Sequence, residues 1–85
     1  MIEVKDFFSE WCGPCKTVSS TLDRLIEKYP DVKIEKIDVE ENDELVEQYG
    51  IMNVPTLIYF KDGVEVKRTT GLQNVQQIED ILKEL

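Results

Sequence analysis

The sequence predicts an α/β protein: a four-stranded mixed sheet with helices on both faces, in the order βαβαββα. Three observations predict it. Stretches that alternate apolar and polar residues, as strands do, are separated by stretches whose apolar residues recur every three or four positions, as helices do. The first two strands flank a long helical stretch, and a crossover of that length places them parallel. An Asp62-Gly63 pair joins the last two strands and suits a tight antiparallel hairpin. The 85 residues are expected to form one domain covering 1–85, without repeat, linker or low-complexity segment. A chain of this size buries roughly 60 to 65% of its unfolded surface, enough for a core.

In the first strand, Ile2, Val4, Asp6 and Phe8 share one phase and Glu3, Lys5 and Phe7 the other. Asp6 is the anomaly, because its phase points it inward with apolar neighbours. From Gly13 to Tyr29, Cys15, Val18, Leu22, Leu25, Ile26 and Tyr29 form one helical stripe, and Pro30 stops it. Val32 to Val39 reads as the second strand. Lys36 shares the phase of Val32 and Ile34, so it either turns inward or snorkels to the surface. Asn42 is placed to cap a short helix whose apolar contacts are Leu45, Val46 and Tyr49, and Gly50 ends it. Pro55 stands at the entry of an apolar strand, Thr56 to Phe60, where a proline needs a reason. Val64 to Thr70 is polar enough for an edge strand, and Gly71 follows at a bend. Asn74 and Gln77 suit a capping box on the last helix, with Val75, Ile78, Ile81, Leu82 and Leu85 as its buried stripe.

Composition narrows the function. Ten basic and eighteen acidic residues give a net charge of −8, which argues against a nucleic-acid partner, since phosphate binding needs a basic stripe. The acidic excess favours a soluble monomer and partners with basic rims. No apolar run is long enough to cross a bilayer, so no membrane role is expected. The N-terminus lacks the pattern of a secretory signal, and a reducing cytoplasm is the expected location. There a cysteine pair is more often catalytic than structural.

The chemistry centres on Trp11-Cys12-Gly13-Pro14-Cys15. Cys12 falls at a strand-to-helix junction, where the unpaired N–H groups and the helix dipole favour a thiolate. Cys15, one turn later, falls on the apolar side. An exposed, activated sulfur beside a sheltered one suits dithiol–disulfide exchange. Gly13 leaves the backbone open to a partner chain, and Pro14 is tolerated in a first turn because its absent N–H would have no helical acceptor. A zinc site would need ligands from another subunit, because the chain has no third cysteine and no histidine. A structural disulfide would restrict the unfolded chain little across so short a loop.

The run Asp6-Phe7-Phe8-Ser9-Glu10-Trp11-Cys12-Gly13-Pro14-Cys15-Lys16 resembles the active-site segment of thioredoxins. The resemblance continues through Lys36-Ile37-Asp38-Val39, Tyr49-Gly50-Ile51, Val54-Pro55-Thr56-Leu57 and Phe60-Lys61-Asp62-Gly63 to Gly71, covering essentially the whole chain. It implies a minimal thioredoxin fold and a protein-disulfide reductase. Cys12 would be the nucleophile and Cys15 the resolving cysteine, the two forming a redox-active disulfide with no bound cofactor or metal. Asp6 would lie buried behind Cys15 as its proton acceptor, with Lys36 near it to tune its pKa. Pro55 would be cis beside the disulfide, turning the Val54 backbone toward a substrate strand. Trp11, Gly13, Pro14, Asn53, Gly71 and Leu72 would complete the substrate surface. The implied partners are disulfide-containing proteins and a thioredoxin reductase, an NADPH-dependent flavoprotein.

The chain departs from the family pattern in starting directly at the active-site strand, without the preceding strand and helix. It also carries Phe8, Ser9 and Asn53 where other residues are frequent. A glutaredoxin is the neighbouring alternative, but Trp11 and Gly13-Pro14 resemble thioredoxin instead. A disulfide-forming oxidant would need an oxidising compartment. A non-catalytic interaction module would have no use for both cysteines, Asp6 and Pro55 together.

Overall fold

The computed structural model describes residues 1–85. Seven elements follow in the predicted order: β1 (Ile2–Phe8), α1 (Gly13–Lys28), β2 (Val32–Asp38), α2 (Asp43–Tyr49), β3 (Thr56–Lys61), β4 (Val64–Thr70) and α3 (Val75–Glu84). The sheet order is β2-β1-β3-β4. β1 and β2 run parallel, with Asp6 beside Lys36; β1–β3 and β3–β4 are antiparallel. The long α1 crossover forces the first relation and the short hairpin the last. At the hairpin, Asp62 (φ 51°) and Gly63 (φ 84°) both take the positive φ that a type I′ turn requires.

Both sheet faces are covered. On one, Val4, Leu57 and Tyr59 pack with Val18, Leu22 and Leu25 of α1 and Ile78 of α3. On the other, Phe7, Ile37, Ile58 and Phe60 pack beneath Leu45 and Tyr49 of α2. Each such side chain contributes roughly 1.5–3 kcal/mol by leaving water. The Tyr49 ring lies 5.8 Å from Phe7 and 5.9 Å from Phe60, which seats the short α2. Glu79 of α3 accepts from Lys28 and from the Tyr29 hydroxyl and so ties α3 to the end of α1.

The α3 cap forms as expected: the Gln77 N–H donates to the Asn74 side chain and the Asn74 N–H to the Gln77 side chain. Two helix expectations are corrected. Asn42 makes no side-chain cap on α2; its Nδ2 donates back to the Asp38 carbonyl at 2.9 Å, a local bond that competes with capping. Val75, the first residue of α3, is exposed, and only Ile78 of its stripe is fully buried.

Candidate active site

The site is built where β1 delivers the chain to α1. Cys12 is the N-cap of α1, with extended backbone, and its Sγ accepts the Cys15 N–H at 3.1 Å. A sulfur thus occupies the place of the usual cap oxygen. It faces an unpaired first-turn donor at the positive end of a sixteen-residue helix whose first turn has no acidic residue. Cys15, on the buried stripe, is 1% exposed. The two are joined as a disulfide, with Cα atoms 5.2 Å apart. Next to Cys12 in the chain, Trp11 is 85% exposed, and its backbone N–H donates to the Ser9 hydroxyl. Gly13 and Pro14 are also exposed, and a Cβ placed on Gly13 would meet nothing within 4 Å.

The loop before β3 lies at the same end of the sheet, since Thr56 pairs with Phe7 where β1 ends. The Val54–Pro55 peptide is cis, and Pro55 is buried. The Val54 N–H and carbonyl take no part in the hydrogen bonds of the loops, which leaves both free for another chain. The Asn53 carbonyl instead accepts the Thr56 hydroxyl at 2.6 Å. The Gly71 N–H donates to the Pro55 carbonyl at 2.9 Å, which brings Gly71 and the exposed Leu72 to the same end of the sheet.

Asp6 is fully buried, on the sheet face covered by α1, and neither carboxylate oxygen has a hydrogen-bond partner in the protein. Burial, with nothing to solvate the charge, pushes its pKa up to about 6. The Lys36 ammonium pulls it down and the Asp23 carboxylate pushes it up. Of the two readings of Lys36, inward or snorkelling to the surface, the second holds. Its side chain leaves the α1 face of the sheet, as the phase predicts, but the ammonium lies at the surface, where Asp23 of α1 accepts it at 2.7 Å. Lys36 and Cys15 line one cleft of about 420 Å³, together with Phe8, Ser9, Glu10, Lys16 and Ser19.

Sequence reasoning misses three parts of this surface. A groove of about 250 Å³, lined by Val39, Val46, Ile51, Met52, Asn53 and Val54, runs beside the Pro55 loop, and Met52 is 90% exposed. An apolar residue immediately before the Asn53-Val54 pair is the available signal. Glu40 accepts the Ser9 hydroxyl and so pins the β1–α1 loop to the β2–α2 loop. Asp23, by its sequence position alone, belongs only to the solvated face of α1.

A half-buried sulfur that caps a helix N-terminus and is bonded to a fully buried one defines a protein that exchanges dithiol for disulfide. The comparisons with known proteins agree. The Thioredoxin family model matches residues 2–84. The thioredoxin of Chlamydia trachomatis is 48% identical over 69 residues, 81% of this chain and 68% of that one. The thioredoxin of Bacillus subtilis is 38% identical over 82 residues, 95% and 79% of the two chains. A mutant thioredoxin of Halobacterium salinarum superposes with a TM-score of 0.92 at 37% identity, covering 98% of this chain and 73% of that one. The chain belongs to the thioredoxin family. It is a dithiol protein-disulfide oxidoreductase, and its family works between disulfide-bearing proteins and a thioredoxin reductase.

Proposed function

We propose that residues 1–85 act as one domain that reduces protein disulfides, with Cys12 as nucleophile, Cys15 as resolving thiol and Asp6 as proton acceptor. The observation that carries this assignment is the asymmetry of the pair: Cys12 caps α1 with its sulfur on an N–H, while Cys15 is buried. In the reduced protein the cap position favours the Cys12 thiolate, and burial holds Cys15 as a thiol. The thiolate attacks one sulfur of a substrate disulfide, forming a mixed disulfide and releasing the other sulfur as a thiolate that takes a proton from water. Cys15 then gives its proton to Asp6 and attacks the Cys12 sulfur. The second substrate thiolate leaves, the Cys12–Cys15 disulfide closes, and two electrons have moved to the substrate.

The substrate segment lies along Val54, whose free N–H and carbonyl are set for strand pairing. Trp11, Gly13 and Pro14 are placed on one side of it, with Asn53, Pro55, Gly71 and Leu72 on the other. The open space over Gly13 and the exposure of Trp11 and Leu72 support that placement. The disulfide is then reduced by an NADPH-dependent flavoprotein, and the protein works as a cytoplasmic monomer. No helix is long and apolar enough to cross a membrane.

Trapping tests the assignment. Cys15→Ser is expected to accumulate a mixed disulfide on Cys12 with a disulfide-bonded substrate, seen as a thiol-sensitive band shift, and Cys12→Ser to accumulate none. Equal trapping by both variants overturns it. Asp6→Asn is expected to slow resolution of the mixed disulfide far more than its formation, and an unchanged resolution rate removes the acceptor role.

A further inference from the structure

The Asp23–Lys36 pair sits outside the substrate surface, yet it borders the one buried ionisable group of the site. Asp6 and Lys36 are register partners on adjacent parallel strands, so their side chains leave the same sheet face side by side. Without a competitor, a long flexible ammonium in that place would turn toward an unpartnered carboxylate. Asp23 prevents it. From α1 it accepts the Lys36 Nζ at 2.7 Å and holds it at the surface, while both Asp6 oxygens are left without a bond. We propose that Asp23 is a positioning residue for proton transfer: by anchoring Lys36 at the cleft mouth, it keeps that ammonium off Asp6 and leaves Asp6 free to receive the Cys15 proton. The inference rests on Asp6 being the acceptor.

The electrostatics point the same way. A charged contact from Lys36 would hold Asp6 ionised, at a proton affinity too low to accept from a thiol, whereas Asp6 sits at about 6 with Lys36 held away. The ionisable groups around Asp6 are few. From β2, Lys36 is the register partner of Asp6; from α1, Asp23 bonds Lys36, and Cys15 and Lys16 line the cleft that Lys36 shares; β3 adds the buried Tyr59 hydroxyl two residues from the register partner Leu57. Of these, Lys36 and Asp23 are the charged groups that act on Asp6.

The test follows the Asp6 side-chain carboxyl by carbon NMR from pH 4 to 9 in the oxidised protein. It compares the wild type with Asp23→Asn, Asp23→Glu, Lys36→Met and the Asp23→Asn/Lys36→Met double variant. Asp23→Asn is expected to lower the Asp6 midpoint by roughly half a pH unit, about threefold in proton affinity, and Asp23→Glu to restore it. With Lys36 removed, Asp23→Asn is expected to move the midpoint much less, because the anchor then has nothing to hold. The pH profile of mixed-disulfide resolution is expected to follow the midpoint. An unmoved midpoint in Asp23→Asn overturns the proposal, and so does an equal shift with and without Lys36, which would mean that Asp23 acts by its own field. The titration reads Asp6 itself and the resolution rate of Asp6→Asn reads the acceptor role, so the two ideas fail separately.

Discussion

Gly13, between the two cysteines, and Gly71, bonded to the Pro55 carbonyl, are glycines for different reasons. Gly71 has φ 87°, a left-handed conformation that costs an L-residue roughly 1–2 kcal/mol, although a Cβ there would touch nothing. Gly13 is under no such constraint, and its Cβ would also enter open space. Gly13→Ala is therefore expected to keep or slightly raise the melting temperature while slowing reduction of a protein disulfide several-fold more than that of a small aromatic disulfide. Steady-state assays with both substrates and a thermal melt check this. Gly71→Ala is expected to lower stability by about 1 kcal/mol in urea titration. At this scale the site is legible where chemistry constrains single positions. Cys12, Cys15 and Asp6 each announce themselves by residue type and phase. Asp23 does not, because its meaning depends on a lysine far along the chain that only the α1–β2 packing brings within 2.7 Å. Met52 is hidden for a related reason, since exposure beside a groove is a property of the fold and not of the residue.

The elements are legible because their periods are clean, and the misreadings lie at their ends. Strand and helix boundaries differ from the expected ones by a residue, as at β2, which closes at Asp38 instead of Val39. Asn42 and Asn74 look alike in sequence, yet only Asn74 caps its helix. The difference lies in their neighbours: Asn42 follows a strand end whose Asp38 carbonyl is within reach of its side chain, and Asn74 has Gln77 to complete the reciprocal pair. Asn74→Ala is therefore expected to destabilise the protein by about 1 kcal/mol in denaturant titration, with the loss confined to α3 in hydrogen exchange. Protection lost equally in α1 would mean that the cap also supports the Glu79 contacts. Pro14 is tolerated for a matching reason. It stands in the first turn of α1, where no helical bond is forgone.

At the scale of the whole molecule, the cost of the site appears in the folding equilibrium. Asp6 titrates at about 6 in the folded protein and near the ordinary 3.8 when unfolded, because only the folded core denies its charge water. Well below the unfolded value, Asp6 is protonated in both states and carries no penalty. As pH rises toward the folded value, the unfolded chain has already released this proton while the folded one still holds it, so folding loses stability. The loss reaches about 3 kcal/mol above pH 7, a large share of what a small domain commands. The other carboxylates act with the opposite sign. Asp62, bonded to the N-terminal ammonium, and Glu79, bonded to Lys28 and Tyr29, are held below their ordinary values and add stability that is lost in acid. Those contacts are surface pairs of small worth, so Asp6 is expected to dominate between about pH 4.5 and 7. Urea titrations across that range are expected to show wild-type stability falling with rising pH and Asp6→Asn nearly flat, the two curves parting most at the alkaline end. Curves that stay parallel throughout would mean that Asp6 is solvated in the folded state, and both its burial and its fitness to take the Cys15 proton would be refuted together.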